Sequence, residues 1–305
     1  MAYDTRPYAG EADLPAVLEL LLACRETDTI DMWPPLVELR LRLKKPLADL
    51  EQMTRLWEAA DCGLAGFALL IDGNYLLALV HPTAPESAGL QEEILLWARS
   101  QVVTLSAGAP AVLSAAVRED EAGRIGLLER YGFLRQDWQT WRMVRPLDGP
   151  LPPPELPPGF STRTLAGEQE VEAYVALHQA AFTSAEMTVE DRLALMRDSA
   201  YLAALDLVVV GPDGALAAFC TCSIGREENE RLGGRDGWVD LVGTRPDLRC
   251  MGLGRAVLLA GLRKLQAAGM TRAVLGTQST NSARHLYESL GFHTIHQLFW
   301  CAKDL

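Results

Sequence analysis

Apolar positions along the chain alternate between two periods, and each change of period marks an element. From 168 to 182, Val171, Tyr174, Val175, His178 and Phe182 fall on one helical stripe, and a second helix is expected over about 188–198. Short β-rich runs follow at 205–210 and 215–224, joined at Pro212, Asp213 and Gly214 in a turn. A polar, Gly-rich stretch at 225–235 is expected to be a loop. Then comes a strand over 238–244, and after Arg245, Pro246 and Asp247 the helical stripe Val257, Leu258, Leu262, Leu265. A strand at 271–277, a helix at 281–290 and a strand at 292–301 complete this half. A strand at about 160–165 precedes it.

The first half shows a similar order. The pattern predicts helices at 12–23, 35–43 and 47–59, strands at 63–71 and 74–81, a helix at 88–105, a strand at 111–117, a helix at 121–130 and a strand at 133–144. Between the halves lies Pro146-Leu-Asp-Gly-Pro-Leu-Pro-Pro-Pro-Glu-Leu-Pro-Pro-Gly159, which can continue neither a helix nor a central strand and favours extended polyproline geometry. Two local matches tie the halves together. Arg6-Pro-Tyr-Ala-Gly-Glu-Ala-Asp-Leu14 parallels Arg163-Thr-Leu-Ala-Gly-Glu-Gln-Glu-Val171, and Leu127-Leu-Glu-Arg-Tyr-Gly-Phe133 parallels Leu286-Tyr-Glu-Ser-Leu-Gly-Phe292. Matches near both ends imply duplication of a whole domain rather than a solenoid of short repeats. The expected fold class is therefore α/β with α+β layering: two tandem domains, each a mixed central sheet flanked by helices. The expected divisions are a first domain at 1–147, a Pro-rich linker at 148–158 and a second domain at 159–305.

The chain has 305 residues and is 49% hydrophobic, enough for two cores. Its net charge of −12 argues against a nucleic-acid partner, because the one basic run, Arg40-Leu-Arg-Leu-Lys-Lys45, fits the exposed side of a helix. No apolar run approaches a membrane span, and the first residues lack the basic-then-apolar pattern of a signal peptide, so no membrane role and a cytoplasmic location are expected. Cys24, Cys62, Cys220, Cys222, Cys250 and Cys301 show no CxxC pair, and with five histidines form no metal-ligand spacing; they read as free thiols, with Cys220 and Cys222 on one face of a strand. No metal is expected.

The chemistry concentrates between Asp236 and Leu265. Arg249-Cys250-Met251-Gly252-Leu253-Gly254-Arg255 joins a strand to a helix. A helix start has N–H groups without internal partners and a positive dipole end, and glycines let an anion approach the backbone. The stretch is a phosphate cradle by composition.

Arg249-x-x-Gly252-x-Gly254 after a strand resembles the Q/R-x-x-G-x-G/A acyl-CoA signature of the GNAT superfamily of N-acyltransferases. Asn281-Ser-Ala-Arg-His-Leu-Tyr287-Glu-Ser-Leu-Gly-Phe292 is similar to that family's Asn-led helix with a Tyr before Gly-Phe. The resemblance covers the second half well and the first half weakly. It implies acetyl-CoA as co-substrate, held where two neighbouring parallel strands part, with its pyrophosphate on the backbone of 249–255 and charge from Arg249 and Arg255. Leu241, Val242 and Gly243 would pair with the pantetheine, one N–H there polarising the thioester carbonyl, and Asn281 would touch the cofactor as it leaves the cleft.

The resemblance further implies N-acetyl transfer to a primary amine of a small molecule or peptide by direct attack in a ternary complex. Tyr287 is the candidate acid for the departing thiolate. Many family members place a Glu on the strand before the cradle, where this chain has Trp238. Asp240 is two residues on, and period-two geometry puts it on the same face; it is the candidate base, directly or through water, with Asp236, Glu227, Glu228 and Glu230 as alternatives. Trp238, Tyr174, His178 and Phe182, with the loop at 183–187, are candidates for the acceptor side. Cys250 contributes its backbone N–H. In the first half the cradle position holds His81-Pro-Thr-Ala-Pro-Glu-Ser-Ala-Gly-Leu90, and Leu128 stands where Tyr287 stands, so the first domain is expected to have lost acyl transfer. A non-catalytic acyl-CoA sensor or scaffold is the alternative. The expected assembly is a monomer or homodimer.

Overall fold

The computed structural model describes residues 3–27, 36–44, 47–60, 63–184 and 187–305. In chain order the first elements are β1 (Asp4–Arg6), α1 (Leu14–Thr27), α2 (Leu36–Arg42), α3 (Leu47–Met53), β2 (Thr54–Ala59), β3 (Gly63–Ile71), β4 (Tyr75–Val80), α4 (Ser87–Leu105), β5 (Val112–Arg118), α5 (Ala122–Arg130) and β6 (Leu134–Pro146). They continue with β7 (Ser161–Thr164), α6 (Val171–Phe182), α7 (Val189–Met196), β8 (Asp206–Val210), β9 (Leu216–Ser223), α8 (Arg226–Leu232), β10 (Asp236–Thr244), α9 (Leu253–Ala267), β11 (Arg272–Gln278), α10 (Ala283–Ser289) and β12 (His293–Asp304). The chain divides into two compact units. Unit 1 comprises 1–142, 277–281 and 295–305; unit 2 comprises 143–276 and 282–294.

Unit 1 is a sheet in the order β1-β2-β3-β4-β5-β12-β6. Its first strands are antiparallel, β4 and β5 are parallel, and β12 pairs antiparallel with β5 from Leu298↔Arg118 to Asp304↔Val112. The last strand of the chain thus completes the first unit's sheet, although its sequence adjoins the second half. Period-two patterning shows that a segment is a strand and which face is apolar, but it carries no record of which sheet takes it. The two faces of this sheet hold separate cores, one around Leu21, Leu39, Phe67 and Leu79 and the other around Trp57, Leu95, Ala98 and Val117.

Unit 2 is a mixed sheet in the order β7-β8-β9-β10-β11, antiparallel except for the parallel β10–β11 pair. On one face Tyr174, Leu177 and Ala181 of α6 pack with Val208 and Phe219. On the other face lies α9, because a side chain added at Gly261 would strike the sulfurs of Cys220 and Cys222. Phe219 and Cys220 are consecutive on β9, so the two helices cover opposite faces by simple strand alternation. Both cysteines are buried with sulfurs 3.6 Å apart. Cys24, Cys250 and Cys301 form no disulfide, and Cys62 lies outside the described residues.

The repeated motifs have the same physical content in both units. Arg6 grips Asp13 at 2.6 and 2.8 Å while Ala9 N–H donates to the same carboxylate at 2.7 Å. In the second copy Arg163 holds Glu170, with Ala166 N–H at 2.7 Å. At the far ends, Phe133 N–H closes on the Leu128 carbonyl at 3.0 Å and Phe292 N–H on that of Tyr287 at 3.1 Å, each across a glycine with positive φ.

Two expectations change. The helix expected over 47–59 ends at Met53, and β2 follows. Leu56 enters one core of unit 1 and Trp57 the other, which a strand achieves and a continued helix does not. The loop expected at 225–235 contains α8. Its Asn229 side chain donates to the Asp236 carbonyl and accepts from the Asp236 N–H, both at 2.9 Å, holding the short helix against β10. The Pro-rich segment is strapped to unit 2: Arg263 donates to the Leu151 carbonyl, Gln266 to those of Leu147 and Gly149, and Leu147 and Leu151 are buried.

Candidate active site

Strands β10 and β11 pair in parallel at Asp236↔Arg272, Gly237↔Ala273 and Trp238↔Val274, and there the ladder ends while both strands run on. Beyond Trp238 the β11 side of β10 offers backbone groups with no ladder partner. On its other edge β10 stays paired with β9 to Thr244, with one irregularity between Val239 and Leu241. Asp240 is the extra residue of that bulge. The regular alternation expected to align Asp240 with Trp238 is broken there, since a bulge inserts one residue without a partner. Asp240 is nevertheless exposed, and Ser223 Oγ donates to its Oδ1 at 3.0 Å; Ser223 is itself the cross-strand partner of Trp238. The two residues thus meet one neighbour for a reason that strand periodicity does not supply.

The open end of β10 leads to the cradle. Arg249 is extended, Cys250 has φ 66° and Gly252 caps α9 at φ 81°. The left-handed cap favours glycine, and Gly254 lets the helix approach β10: a Cβ there would sit 3.1 Å from Thr244 Oγ1. The first helical bond runs from Ala256 N–H to the Gly252 carbonyl, so the N–H groups of Leu253, Gly254 and Arg255 have no intrahelical acceptor. Cys250 and Met251 are exposed, and Leu253 is buried. Arg249 donates to the Ala181 carbonyl at 2.7 Å, pinning the end of α6 beside the cradle. Arg255 donates to Ser289 Oγ at 2.9 Å, so its guanidinium turns toward α10 rather than along the cradle's axis.

Tyr287 on α10 is only 7% exposed, with its ring 6.0 Å from that of Phe292. Burial, with a smaller push from Cys220, raises its pKa to about 12. Among the described residues no hydrogen bond is made by its hydroxyl, which is not one of the fully buried polar atoms left unpartnered.

The remaining candidates fall into different surroundings. Tyr174 is fully enclosed: its hydroxyl is shared with Thr221 at 2.8 Å, and the Arg192 guanidinium lies 3.9 Å over its ring. It is a core residue and not part of an open acceptor wall. Arg192 pairs with buried Asp206, to which Tyr201 and Thr221 also donate, so Tyr174 belongs to a closed polar network that the one-residue-at-a-time pattern does not expose. His178 is buried between Phe182, at 4.7 Å, and Phe219, at 5.9 Å, a packing position. Phe182 is exposed and Trp238 buried. Of the loop at 183–187, residues 185–186 lie outside the described residues. Among the alternative bases, Asp236 is committed to Arg272, Glu228 is buried against Gly225, and Glu227 and Glu230 are exposed on α8. Asn281 is exposed and its N–H bonds to the Gln278 carbonyl; it falls in unit 1, ahead of the start of α10.

Unit 1 has its own parting strands. The β4–β5 ladder has only Tyr75↔Ser114 and Leu76↔Ala115, and a cavity of about 220 Å³ opens between Leu76, Ala78, Val80, Ala115, Ile94 and Leu128. At the start of α4 stands Glu86 at φ 50°, and Tyr3 donates to the Pro85 carbonyl. Among the described residues no group of His, Cys, Asp and Glu could hold a metal, and no helix is long and apolar enough to cross a membrane.

Residues 171–292 match the model of the Acetyltransferase (GNAT) family. A mycothiol acetyltransferase of Thermobispora bispora is 33% identical over 240 residues, spanning 75% of this chain and 80% of that one. One from Salinispora arenicola is 30% identical over 293 residues, 92% of this chain and 91% of the relative. A solved GCN5-related N-acetyltransferase from Sphaerobacter thermophilus superposes with TM-score 0.75 over 99% of this chain and 95% of its own, at 24% identity. A tandem GNAT protein from the clavulanic acid biosynthesis pathway does so with TM-score 0.68 at 16% identity, covering 99% and 98%; these two likenesses speak for the fold. The family match and these relatives give an acetyltransferase that draws on an acyl-CoA donor. The chain belongs to the GNAT family of acetyltransferases.

Proposed function

We propose that unit 2 transfers an acetyl group from acetyl-CoA to the primary amine of a small molecule within a ternary complex. The observation that carries this reading is the end of the β10–β11 ladder at Trp238↔Val274 beside an unblocked helix start. The N–H groups at 249–255 receive the diphosphate, and Arg249 and Arg255 add charge. Leu241, Val242 and Gly243 lie on the stretch of β10 past the ladder, available to pair with the pantetheine amides and to offer one N–H to the thioester oxygen. Asn281 is the proposed contact with the departing chain of the cofactor.

The amine attacks the carbonyl carbon, the C–S bond breaks, and the thiolate takes a proton from Tyr287. A phenol whose pKa is raised to about 12 stays protonated at neutral pH and therefore keeps its proton until the leaving group needs it. Asp240, exposed on the bulge and oriented by Ser223, accepts the proton that the ammonium form of the acceptor must lose, directly or through water. Trp238 and Phe182 are the retained candidates for shaping the acceptor side.

The relatives are named for acetylating mycothiol, and the acceptor proposed here is of that amino-sugar thiol type. Unit 1 is proposed to have lost catalysis, because Glu86 and Pro85 occupy its cradle position and Leu128 replaces the tyrosine. Incubating the protein with acetyl-CoA and a panel of amino-sugar amines, and following the acetylated product by mass spectrometry, tests the proposal. A rise of product mass by one acetyl group supports it. Acetyl-CoA binding without product on any amine favours the second reading, an acyl-CoA sensor, to which the buried Trp238 at the family's usual carboxylate position points.

A further inference from the structure

Unit 2 holds a second cavity, of about 390 Å³, at the other end of α9 from the cradle. The rise of the helix puts the two roughly 20 Å apart. Two helix faces form its walls. On α8, Arg226, Asn229 and Glu230 are three and four residues apart and share one face. On the last turn and C-cap of α9, Lys264 and Ala268 are spaced alike. Leu202, Leu205, Ile224 and Met270 supply an apolar floor, with Leu205 and Ile224 buried. The walls are held by bonds of their own. The Asn229 amide is committed to both backbone groups of Asp236 at 2.9 Å, and Met270 N–H donates to the Leu265 carbonyl at 3.1 Å.

The charges around this trough stay open. Arg226 and Glu230 stand four residues apart on one helix face. The same Arg-then-Glu spacing on α10 closes as the Arg284–Glu288 pair at 2.7 Å. On α8 it does not close: among the described residues, Arg226, Glu230 and Lys264 take part in no ion pair and no side-chain hydrogen bond. Two cations and one carboxylate therefore line one cavity above an apolar floor. A ligand complementary to all of them carries a carboxylate, an ammonium and an apolar body.

We propose that this cavity binds a free α-amino acid with an apolar side chain. Its carboxylate lies between Arg226 and Lys264, its ammonium meets Glu230, and its side chain covers Leu205, Ile224 and Met270. A guanidinium offers two parallel donors to one carboxylate, and Lys264 adds a point charge from the facing helix. The volume is sufficient, since a cavity of about 150 Å³ already takes benzene. The site does not rest on the acetyl-transfer reading.

The test is a calorimetric titration of L-leucine, L-methionine and L-phenylalanine into the full chain, followed by the amide and the N-acetyl form of whichever binds most tightly. At least one of the three should bind once per chain, with Kd on the order of 0.1–1 mM. The amide lacks the carboxylate and the N-acetyl form lacks the ammonium, so each should bind about tenfold or more weakly. Lys264→Gln should weaken the free amino acid about fivefold or more, and Glu230→Gln should bring the free and N-acetyl forms within about threefold of each other. A thermal melt confirms that both variants fold. No heat from any of the three amino acids up to about 10 mM overturns the proposal. So does an amide that binds as tightly as the free amino acid, undiminished affinity in Lys264→Gln, or undiminished discrimination in Glu230→Gln.

Discussion

Both units part a parallel strand pair after a few rungs, β4 from β5 and β10 from β11, yet they furnish the opening differently. In unit 2 a glycine at φ 81° begins the following helix, and α10 carries a largely buried phenol. In unit 1 a glutamate at φ 50° begins the helix, a proline precedes it, and a leucine fills the phenol's position. The backbone frame has survived duplication in both copies, as have the Arg–carboxylate clasp and the glycine turn at the ends. What differs is the small set of side chains proposed to contact the donor. Packing constrains the frame throughout the core, whereas the proposed cradle and acid positions carry little of that packing constraint.

The largest break in this comparison should come from Tyr287→Phe. Removing the proposed acid should lower turnover about 10²- to 10⁴-fold, with acetyl-CoA affinity changed less than about twofold, as read by single-turnover kinetics and calorimetry. Leu128→Tyr in unit 1 should restore nothing, because the cradle there is absent. Untouched turnover in Tyr287→Phe would remove the acid assignment.

Carrying unit 1's residue into unit 2 is the next test. Gly252→Glu places a carboxylate at the helix start in a conformation that only glycine adopts easily, and acetyl-CoA should bind about 10- to 100-fold more weakly, or about 1.4–2.8 kcal/mol. The reciprocal Glu86→Gly should create no site, since Pro85 still lacks an N–H. Unchanged affinity in Gly252→Glu would mean that the diphosphate does not use this helix start.

The pH dependence sharpens the same contrast. Tyr287 donates only as the phenol, and its pKa is raised to about 12, so activity should hold through about pH 10, where an ordinary tyrosine already ionises, and fall only as pH rises through about 12. An alkaline limb centred near pH 10 would place the acid elsewhere. The smallest effect is expected from Cys250→Ala. The thiol is exposed on the cradle, but only the backbone N–H is used, so acetyl-CoA affinity and turnover should each change less than about twofold. Loss of turnover in this variant would point instead to an acyl-cysteine route.

What the chain announces in advance is local. Arg249, Gly252 and Gly254 act within one turn of backbone, and Tyr287 and Gly291 act across one helix end, so their spacing is visible without the fold. Other features depend on distant pairing. Asp240 is presented by a bulge that exists only because β9 and β10 slip by one residue between Val239 and Leu241. The helix stripe that carries Tyr174 shows that it is apolar-facing, but its enclosure with Arg192, Asp206 and Thr221 is set by three elements meeting. The placement of β12 against β5 and the docking of the Pro-rich segment on Arg263 and Gln266 are likewise tertiary facts.

The account turns on one working acyl-CoA cradle and one that has lost its ligand contacts. The most direct measurement is the stoichiometry of acetyl-CoA binding by isothermal titration calorimetry, on wild type and on Gly252→Glu. One acetyl-CoA per chain in the wild type, with that site weakened in the variant, is the predicted result. Two per chain, or one per chain with undiminished affinity in Gly252→Glu, would contradict it, because the ligand would then be held where Glu86 and Pro85 stand.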